Sequence, residues 1–402
     1  MSQFKYPLLS NAFNSNDINC GIKVLKSKQL TMSNITKKFE KNFAKVVGTK
    51  YALMTNSGSS ANLLALSAIT NPIFKKKLNP GDEVLIPAVC WSTSLWPIIQ
   101  NQLKPVFVDV ELDTFNICLN DLKKKISKKT KAILIVHVLG TSTNMIKLNK
   151  IVKKNNLLLI EDTCESLGAK YNKKPLGSYG DFGTYSFYYS HQITSGEGGM
   201  IVCNDKFNYN LLKTLRSHGW SRDIKLDKKY IKKFKNIDNR FLFINSGYNL
   251  RPTDIQAAIA NNQLKRLKQF MKIRNKNRNL LIDTIKKHKN WNDQFKFVNF
   301  SKKVIPSWFG LPILINENYK SVKHRFLNFI TKCGIENRPI ISGNFVNQPS
   351  AFLYNLNPKK EKFKNAQIIE DLGFFIGLHT QELNLKDAQF IANTLLKISK
   401  FK

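Results

Sequence analysis

Four short segments of this chain gather residue types that could hold and work on a flat, charged ligand. Thr55-Asn-Ser-Gly-Ser-Ser-Ala61 follows an apolar run, Tyr51 to Met54, and opens into a helical pattern. A Gly-Ser step there lets backbone N–H groups approach a phosphate, and a helix N-terminus adds the positive end of its dipole. Any strand-to-helix turn favours Ser and Gly, so this segment alone also reads as a plain cap. In Leu157-Leu-Leu-Ile-Glu-Asp-Thr-Cys-Glu165, Asp162 falls just past a buried run, at the carboxyl edge where the sites of parallel sheets collect. A carboxylate there can keep a heteroaromatic nitrogen protonated, as the pyridine ring of a pyridoxal-type cofactor requires to accept electrons; a helix N-cap is the simpler role. Trp91, in Pro87-Ala-Val-Cys-Trp-Ser-Thr93, could stack its indole on a flat ring or fill core. Gly183-Thr-Tyr-Ser-Phe-Tyr-Tyr-Ser-His191 sets Ser186 five residues before an imidazole, a competent proton carrier near neutral pH.

These residues must be positioned by something, and the pattern around them supplies it. From about residue 50 to residue 205, short apolar runs alternate with helix-like stretches, as in a mostly parallel sheet covered by helices. Glu83 to Pro87, Pro105 to Val110, Ala132 to Val138, Leu157 to Glu161 and Gly199 to Cys203 are rich in Val, Ile and Leu without clean alternation, as strands buried on both faces should be. After Arg251 the texture changes. Ile255 to about Lys289 reads as one or two linking helices, followed by mixed strands and helices. An N-terminal segment and large domain over 1–255, with linking helices and a small C-terminal domain over 256–402, is the expected division.

At 402 residues the chain can bury a large core, and 42% hydrophobic with 23% charged residues matches a globular protein. No apolar run approaches the roughly 20 residues of a membrane span, and Met1 to Cys20 lack a secretion signature, so a cytoplasmic protein that does not engage a membrane is expected. Sixty-four Lys and Arg against 27 Asp and Glu leave a net charge of +37. That positive charge is spread along the chain, nearly all of it lysine, with no arginine before Arg216. Nucleic-acid binding would favour a stripe rich in arginine, so we read solvated surface lysines and a general attraction to anions instead. Six cysteines, at 20, 90, 118, 164, 203 and 333, form no CxxC pair. Neither zinc nor an iron–sulfur cluster is supported by that spacing, and no metal ligand is expected.

In order, Ser57-Gly-Ser, Trp91, Glu161-Asp, Ser186, Gly196-Glu-Gly-Gly and Gly247-Tyr-Asn-Leu-Arg-Pro-Thr-Asp-Ile-Gln-Ala-Ala258 resemble the sugar aminotransferases of the DegT/DnrJ/EryC1/StrS group. The resemblance implies an α/β protein of fold type I, aspartate-aminotransferase-like. Its large domain would be built on a mostly parallel seven-stranded sheet, beside a smaller C-terminal α+β domain. It further implies a homodimer with shared active sites that uses pyridoxal or pyridoxamine phosphate. Gly58, Ser59 and Ser186 would contact the phosphate, Asp162 the pyridine nitrogen, Trp91 the ring face and Glu165 the region of the ring hydroxyl. Asn249 would reach the phosphate of the neighbouring subunit.

One position departs from the pattern. Five residues after Ser186, where the aminotransferases carry the lysine of the internal Schiff base, stands His191; Lys170, Lys173 and Lys174 belong to another segment. An imidazole forms no such bond, so the cofactor should be held non-covalently. Within the group, this exchange marks 3-dehydratases of 4-keto-6-deoxy nucleotide sugars, enzymes of deoxysugar and O-antigen biosynthesis. There the histidine removes a proton from the cofactor's aminomethyl carbon and returns it to the departing 3-hydroxyl. One branch, acting on CDP-sugars, draws electrons through a [2Fe–2S] cluster. Only Cys203 lies between residues 165 and 332, which favours the cluster-free branch, whose amine cofactor is restored by L-glutamate; the CDP branch and a non-catalytic regulator are the alternatives. Leu215-Arg-Ser-His-Gly-Trp-Ser-Arg222 and Gly334-Ile-Glu-Asn-Arg-Pro-Ile-Ile-Ser-Gly-Asn-Phe345 also resemble this subgroup. Arg338 is a candidate for the sugar diphosphate or a surface ion pair. His218 is a second active-site imidazole near the dimer interface or a core histidine, Arg251 is a further substrate contact, and His137 is structural.

Overall fold

The apolar runs of the first half become one seven-stranded sheet in the computed structural model, which describes residues 4–10, 13–31, 33–226 and 228–401. Its strands are β1 (Tyr51–Thr55), β2 (Glu83–Pro87), β3 (Lys104–Val108), β4 (Thr130–Val136), β5 (Leu158–Asp162), β6 (Phe182–Ser186) and β7 (Gly199–Cys203). They lie in the order β1-β7-β6-β5-β4-β2-β3. Only β7 runs against its neighbours; the rest are mutually parallel. Consequently β1, β2, β4, β5 and β6 all end at one edge, and the residues singled out above follow those ends. Every residue of β2, β5, β6 and β7 is buried, which explains the unbroken apolar runs: neither face meets water. Strand β6 carries no such run, only Phe182 and Tyr185 around small residues. Gly183 packs so tightly that a Cβ there would stand 2.0 Å from the Gly177 carbonyl oxygen. The expected strand ending at Val138 stops at Val136, because Val138–Gly140 turns into a 3-10 helix.

Helix α1 (Gly58–Ile69) follows β1 and α2 (Ser92–Gln100) follows β2. The basic stretch after Arg251 forms two helices, α3 (Asp254–Leu264), opened by a capping box of Thr253 and Gln256, and α4 (Leu267–Lys286). Beyond them lies a second, antiparallel sheet in the order Phe295–Phe297, Gly310–Ile315, Gly373–Gly377, Asn337–Arg338. The start of the chain joins this second sheet: Tyr6 bridges to Ile335, and its hydroxyl donates to the Gly377 carbonyl. One apolar cluster runs from Ile86 and Leu134 of the first sheet through Trp308 to Ile313 and Phe374 of the second. With each such side chain contributing about 1.5–3 kcal/mol on burial, the two parts are held by a common core. Among the described residues no helix is long and apolar enough to cross a membrane.

Candidate active site

A cavity of about 540 Å³ opens between the carboxyl edge of the first sheet and residues of the second part, Phe309, Arg338 and Phe375. At one end stands the start of α1. The Ser57 hydroxyl accepts the Ser60 N–H at 3.1 Å, whereas the Gly58 and Ser59 N–H groups belong to the first turn and have no helical carbonyl to meet. The Ser59 hydroxyl donates to Thr93 at 2.9 Å, and the Ser186 hydroxyl accepts the Tyr188 N–H at 3.3 Å. A Cβ on residue 58 would lie 2.6 Å from Ser186 Cβ and 2.9 Å from Cys164 Sγ. Glycine is therefore what lets a helix N-terminus abut the end of β6, and the result is a nest of N–H and O–H donors suited to a phosphate.

Next along the cavity is the buried Asp162, the last residue of β5. Its Oδ2 accepts Asn62 Nδ2 at 2.8 Å and Ser94 Oγ at 2.7 Å, and its Oδ1 accepts the Cys164 N–H at 3.1 Å. Asn62 is itself oriented by the Thr184 hydroxyl, 2.6 Å from its Oδ1. A carboxylate so braced has one fixed direction left for a further donor from the cavity, which a protonated pyridine nitrogen would satisfy. Trp91 is 56% exposed, unusual for an indole not in use at a contact, and it lines the same space.

Glu165 lies deeper, with its Oε2 accepting the Leu139 N–H at 3.0 Å. Burial pushes its carboxyl up to about 7, with the Asp162 charge adding to the rise and the Leu139 N–H opposing it. Folding thus raises its affinity for a proton, so stability falls as pH climbs from the ordinary value of 4.5 to about 7. That cost, about 3 kcal/mol, is complete above the window. Glu165→Gln is expected to remove the dependence: enzyme stripped of cofactor should melt higher than the parent above pH 7 and alike near pH 4.5. Melting curves that stay parallel across that range refute the assignment.

His191 closes the constellation. Its ring stands edge-on to Tyr188, with centroids 6.0 Å apart at 86°, and to Phe309, at 5.1 Å and 79°. Nδ1 is enclosed and has no hydrogen-bond partner. Burial, followed by the Arg274 charge, pushes its pKa down to about 3, against a partial pull upward from Tyr188, so the imidazole is neutral at physiological pH and able to accept a proton. No lysine lines the cavity among the described residues. Lys170 and Lys174 sit on a short hairpin, where Lys174 covers the Tyr179 ring.

The structure thus brings Gly58, Ser59, Trp91, Asp162, Glu165, Ser186, His191 and Arg338 to one cavity. Arg338 lines the cavity and also forms the surface ion pair, its Nη2 donating to Glu336 at 2.7 Å. Asn249, Arg251 and His218 do not line the cavity of their own chain. They form a separate cluster, with Arg251 Nε 2.9 Å from Asn249 Oδ1 and Arg251 Nη2 3.2 Å from His218 Nε2. His218 is exposed rather than a core histidine. His137 is buried against Glu161 at 3.0 Å, and Glu161 also accepts the N–H groups of Gly177, Tyr179 and Gly180, tying a turn beneath the sheet. Sequence reasoning missed Asn62, Ser94 and Phe309. An asparagine on a helix face otherwise made of Leu and Ala was a usable signal for Asn62; Phe309, 118 residues from His191, offered none.

The family model of the DegT/DnrJ/EryC1/StrS aminotransferase family matches residues 12–396. The chain is similar to the GDP-4-keto-6-deoxy-D-mannose 3-dehydratase of Escherichia coli O55:H7, at 37% identity over 383 residues, 94% of this chain and 96% of that one. A solved structure of the E. coli GDP-4-keto-6-deoxy-D-mannose-3-dehydratase with bound hydrated PLP superposes with a TM-score of 0.88 at 35% identity, covering 98% of this chain and 99% of that chain. Another, of a GDP-4-keto-6-deoxymannose-3-dehydratase with a trapped PLP-glutamate geminal diamine, gives 0.86 at 35% identity, covering 97% and 100%. A donor nest, a braced carboxylate and a flanking indole occur in the order of that family's motifs, on its fold and over nearly its whole length: the chain belongs to the DegT/DnrJ/EryC1/StrS aminotransferase family.

Proposed function

We propose that this protein is a pyridoxal- and pyridoxamine-phosphate-dependent 3-dehydratase of a GDP-linked 4-keto-6-deoxy sugar, with L-glutamate restoring the amine form of the cofactor. The observation that carries this reading is a cavity holding Asp162 and a neutral, enclosed His191 with no lysine among its described lining residues. The similarity to dehydratases named for a GDP-4-keto sugar, one of them solved with a PLP-glutamate adduct, supports the nucleotide and the cosubstrate.

The residues present fit the cofactor. The α1 N–H groups with Ser59 and Ser186 would hold its phosphate, Asp162 its pyridine nitrogen, Trp91 its face, and Glu165 the region of the ring hydroxyl. Bound there, the cofactor would supply an amine for the sugar's 4-keto carbon and a ring that withdraws electrons. His191 would be the group that accepts the proton released there. Once protonated, it can hand that proton to the departing 3-hydroxyl, which leaves as water. Tyr188 and Phe309 flank the imidazole edge-on and its Nδ1 is enclosed, which would limit loss of the proton to bulk water between the two transfers. Arg338 is suited to the diphosphate. We place Asn249, Arg251 and His218 at the cavity of a second copy, which makes the homodimer the working unit.

Enzyme incubated with pyridoxal phosphate and glutamate, then treated with borohydride and dialysed, is expected to carry no covalent adduct by intact mass. The same mixture should consume a GDP-4-keto-6-deoxy sugar with release of ammonia, one per glutamate. A reduced lysine adduct, or a keto sugar recovered with its 3-hydroxyl, overturns the reading.

A further inference from the structure

Arg274, in the middle of α4, is 1% exposed. Buried guanidinium groups ordinarily face a carboxylate, because an uncompensated charge is costly to remove from water. Arg274 makes no ion pair among the described residues: its Nη1 donates to the Trp308 carbonyl at 3.1 Å and its Nε has no partner. The next residue, Asn275, accepts the indole N–H of the same Trp308 at 3.0 Å, and the Arg278 guanidinium lies over that indole at 4.5 Å. Helix α4 therefore grips Trp308 by its carbonyl, its N–H and its ring face.

Both neighbours of Trp308 touch the His191 segment. The Ser307 carbonyl accepts Gln192 Nε2 at 3.0 Å, and the same amide also donates to the Glu165 carbonyl. Phe309 backs the His191 ring and is braced in turn by Phe375 at 5.7 Å. A rigid path thus runs from α4 through residues 307–309 to the imidazole.

We propose that Arg274 is a positioning residue for His191: it anchors the Ser307–Phe309 segment that fixes the imidazole, and it sets an unneutralised positive charge behind a base that has to accept a proton. The assignment rests on the dehydratase reading above. The structural arginines Arg216 and Arg266 face carboxylates, Glu40 and Asp17, whereas among the described residues Arg274 is held only by the carbonyl of the segment that backs His191. The downward push of the Arg274 charge on His191 agrees with it. Other groups face His191 too: Tyr188 and Phe309 at its edges, with Asp162, Glu165, Glu197, Cys164 and Arg338 lining the same cavity. Of the charges around His191, that of Arg274 acts on it most strongly.

The test uses the full-length enzyme with cofactor, comparing the parent with Arg274→Met and Arg274→Lys. Loss of the charge favours a protonated imidazole, so the acid limb of the kcat/KM profile should move up by about one pH unit in Arg274→Met and return in Arg274→Lys. At neutral pH kcat should fall about tenfold, with KM for the sugar within about twofold, as expected of a misplaced proton carrier. An acid limb unmoved in Arg274→Met overturns the inference, because a purely structural loss lowers activity at every pH alike. Should that variant fail to fold, Phe309→Leu leaves Arg274 in place and removes the ring behind His191. Its kcat should drop by about tenfold at constant KM, and an unchanged kcat refutes the path. If the parent enzyme shows no dehydration at all, the proposed function fails while the nitrogen resonances of His191 still decide this point: titration in Arg274→Lys like the parent, and higher in Arg274→Met, supports the assignment. Identical titration in all three refutes it.

Discussion

Replacing His191 by asparagine is expected to lower kcat for dehydration by about 10²–10⁴-fold while the cofactor stays bound. The amide approximates the imidazole in size, so the slot between Tyr188 and Phe309 remains filled. It has no site that can take up and release a proton near neutral pH. The parent imidazole is well suited to that task because burial and the Arg274 charge keep it neutral. Binding should survive, since the donors of α1 and the Asp162 carboxylate, not His191, form the cofactor cradle. Ammonia release measured with a GDP-4-keto-6-deoxy sugar reads kcat, and absorbance of the enzyme after gel filtration reads occupancy. A variant within about twofold of the parent in kcat would move the proton carrier elsewhere in the cavity, and Glu165 would be the next group to examine.

Asp162→Asn is the second large effect. Oδ2 of Asp162 receives two hydrogen bonds, from Asn62 and Ser94, and an amide nitrogen in that place would confront two donors. An amide turned the other way would offer its nitrogen to the ring, and neither orientation supplies the negative charge that holds a pyridinium proton. Breaking one partner of a buried charged pair costs about 3–5 kcal/mol. Cofactor affinity and turnover should therefore each fall by on the order of 10²–10³-fold, with the variant's fold retained by near-ultraviolet circular dichroism. Equilibrium dialysis of pyridoxal phosphate checks the first and the sugar assay the second. Parent-like affinity in a folded variant would show that Asp162 does not meet the ring.

How far the primary structure alone could lead differs from residue to residue. The runs that became β2 and β7 were legible to the residue, because strands buried on both faces announce themselves by composition. Strand β6 was not, since its burial depends on Gly183 lying against Gly177, a contact between a strand and a turn that no local pattern encodes. The site shows the same divide. Gly58, Asp162, Ser186 and His191 stood out because each lies at or just past a strand end, and parallel strands bring such ends to one edge. Asn249, Arg251 and His218 stood out equally, yet within one chain they cluster with one another and do not line the cavity.

Chemical identity was thus settled by the order of residues: which strand ends carry donors, where a carboxylate stands, and that an imidazole replaces an amine five positions after Ser186. The tertiary structure decided what those groups can do. Asn62 and Ser94 aim Asp162, Phe309 backs His191, and Arg274 bears on its proton, from positions as much as 118 residues along the chain. The physical reason is that hydrogen-bond direction and local dielectric are set by whichever atoms pack around a group after the chain has closed on itself.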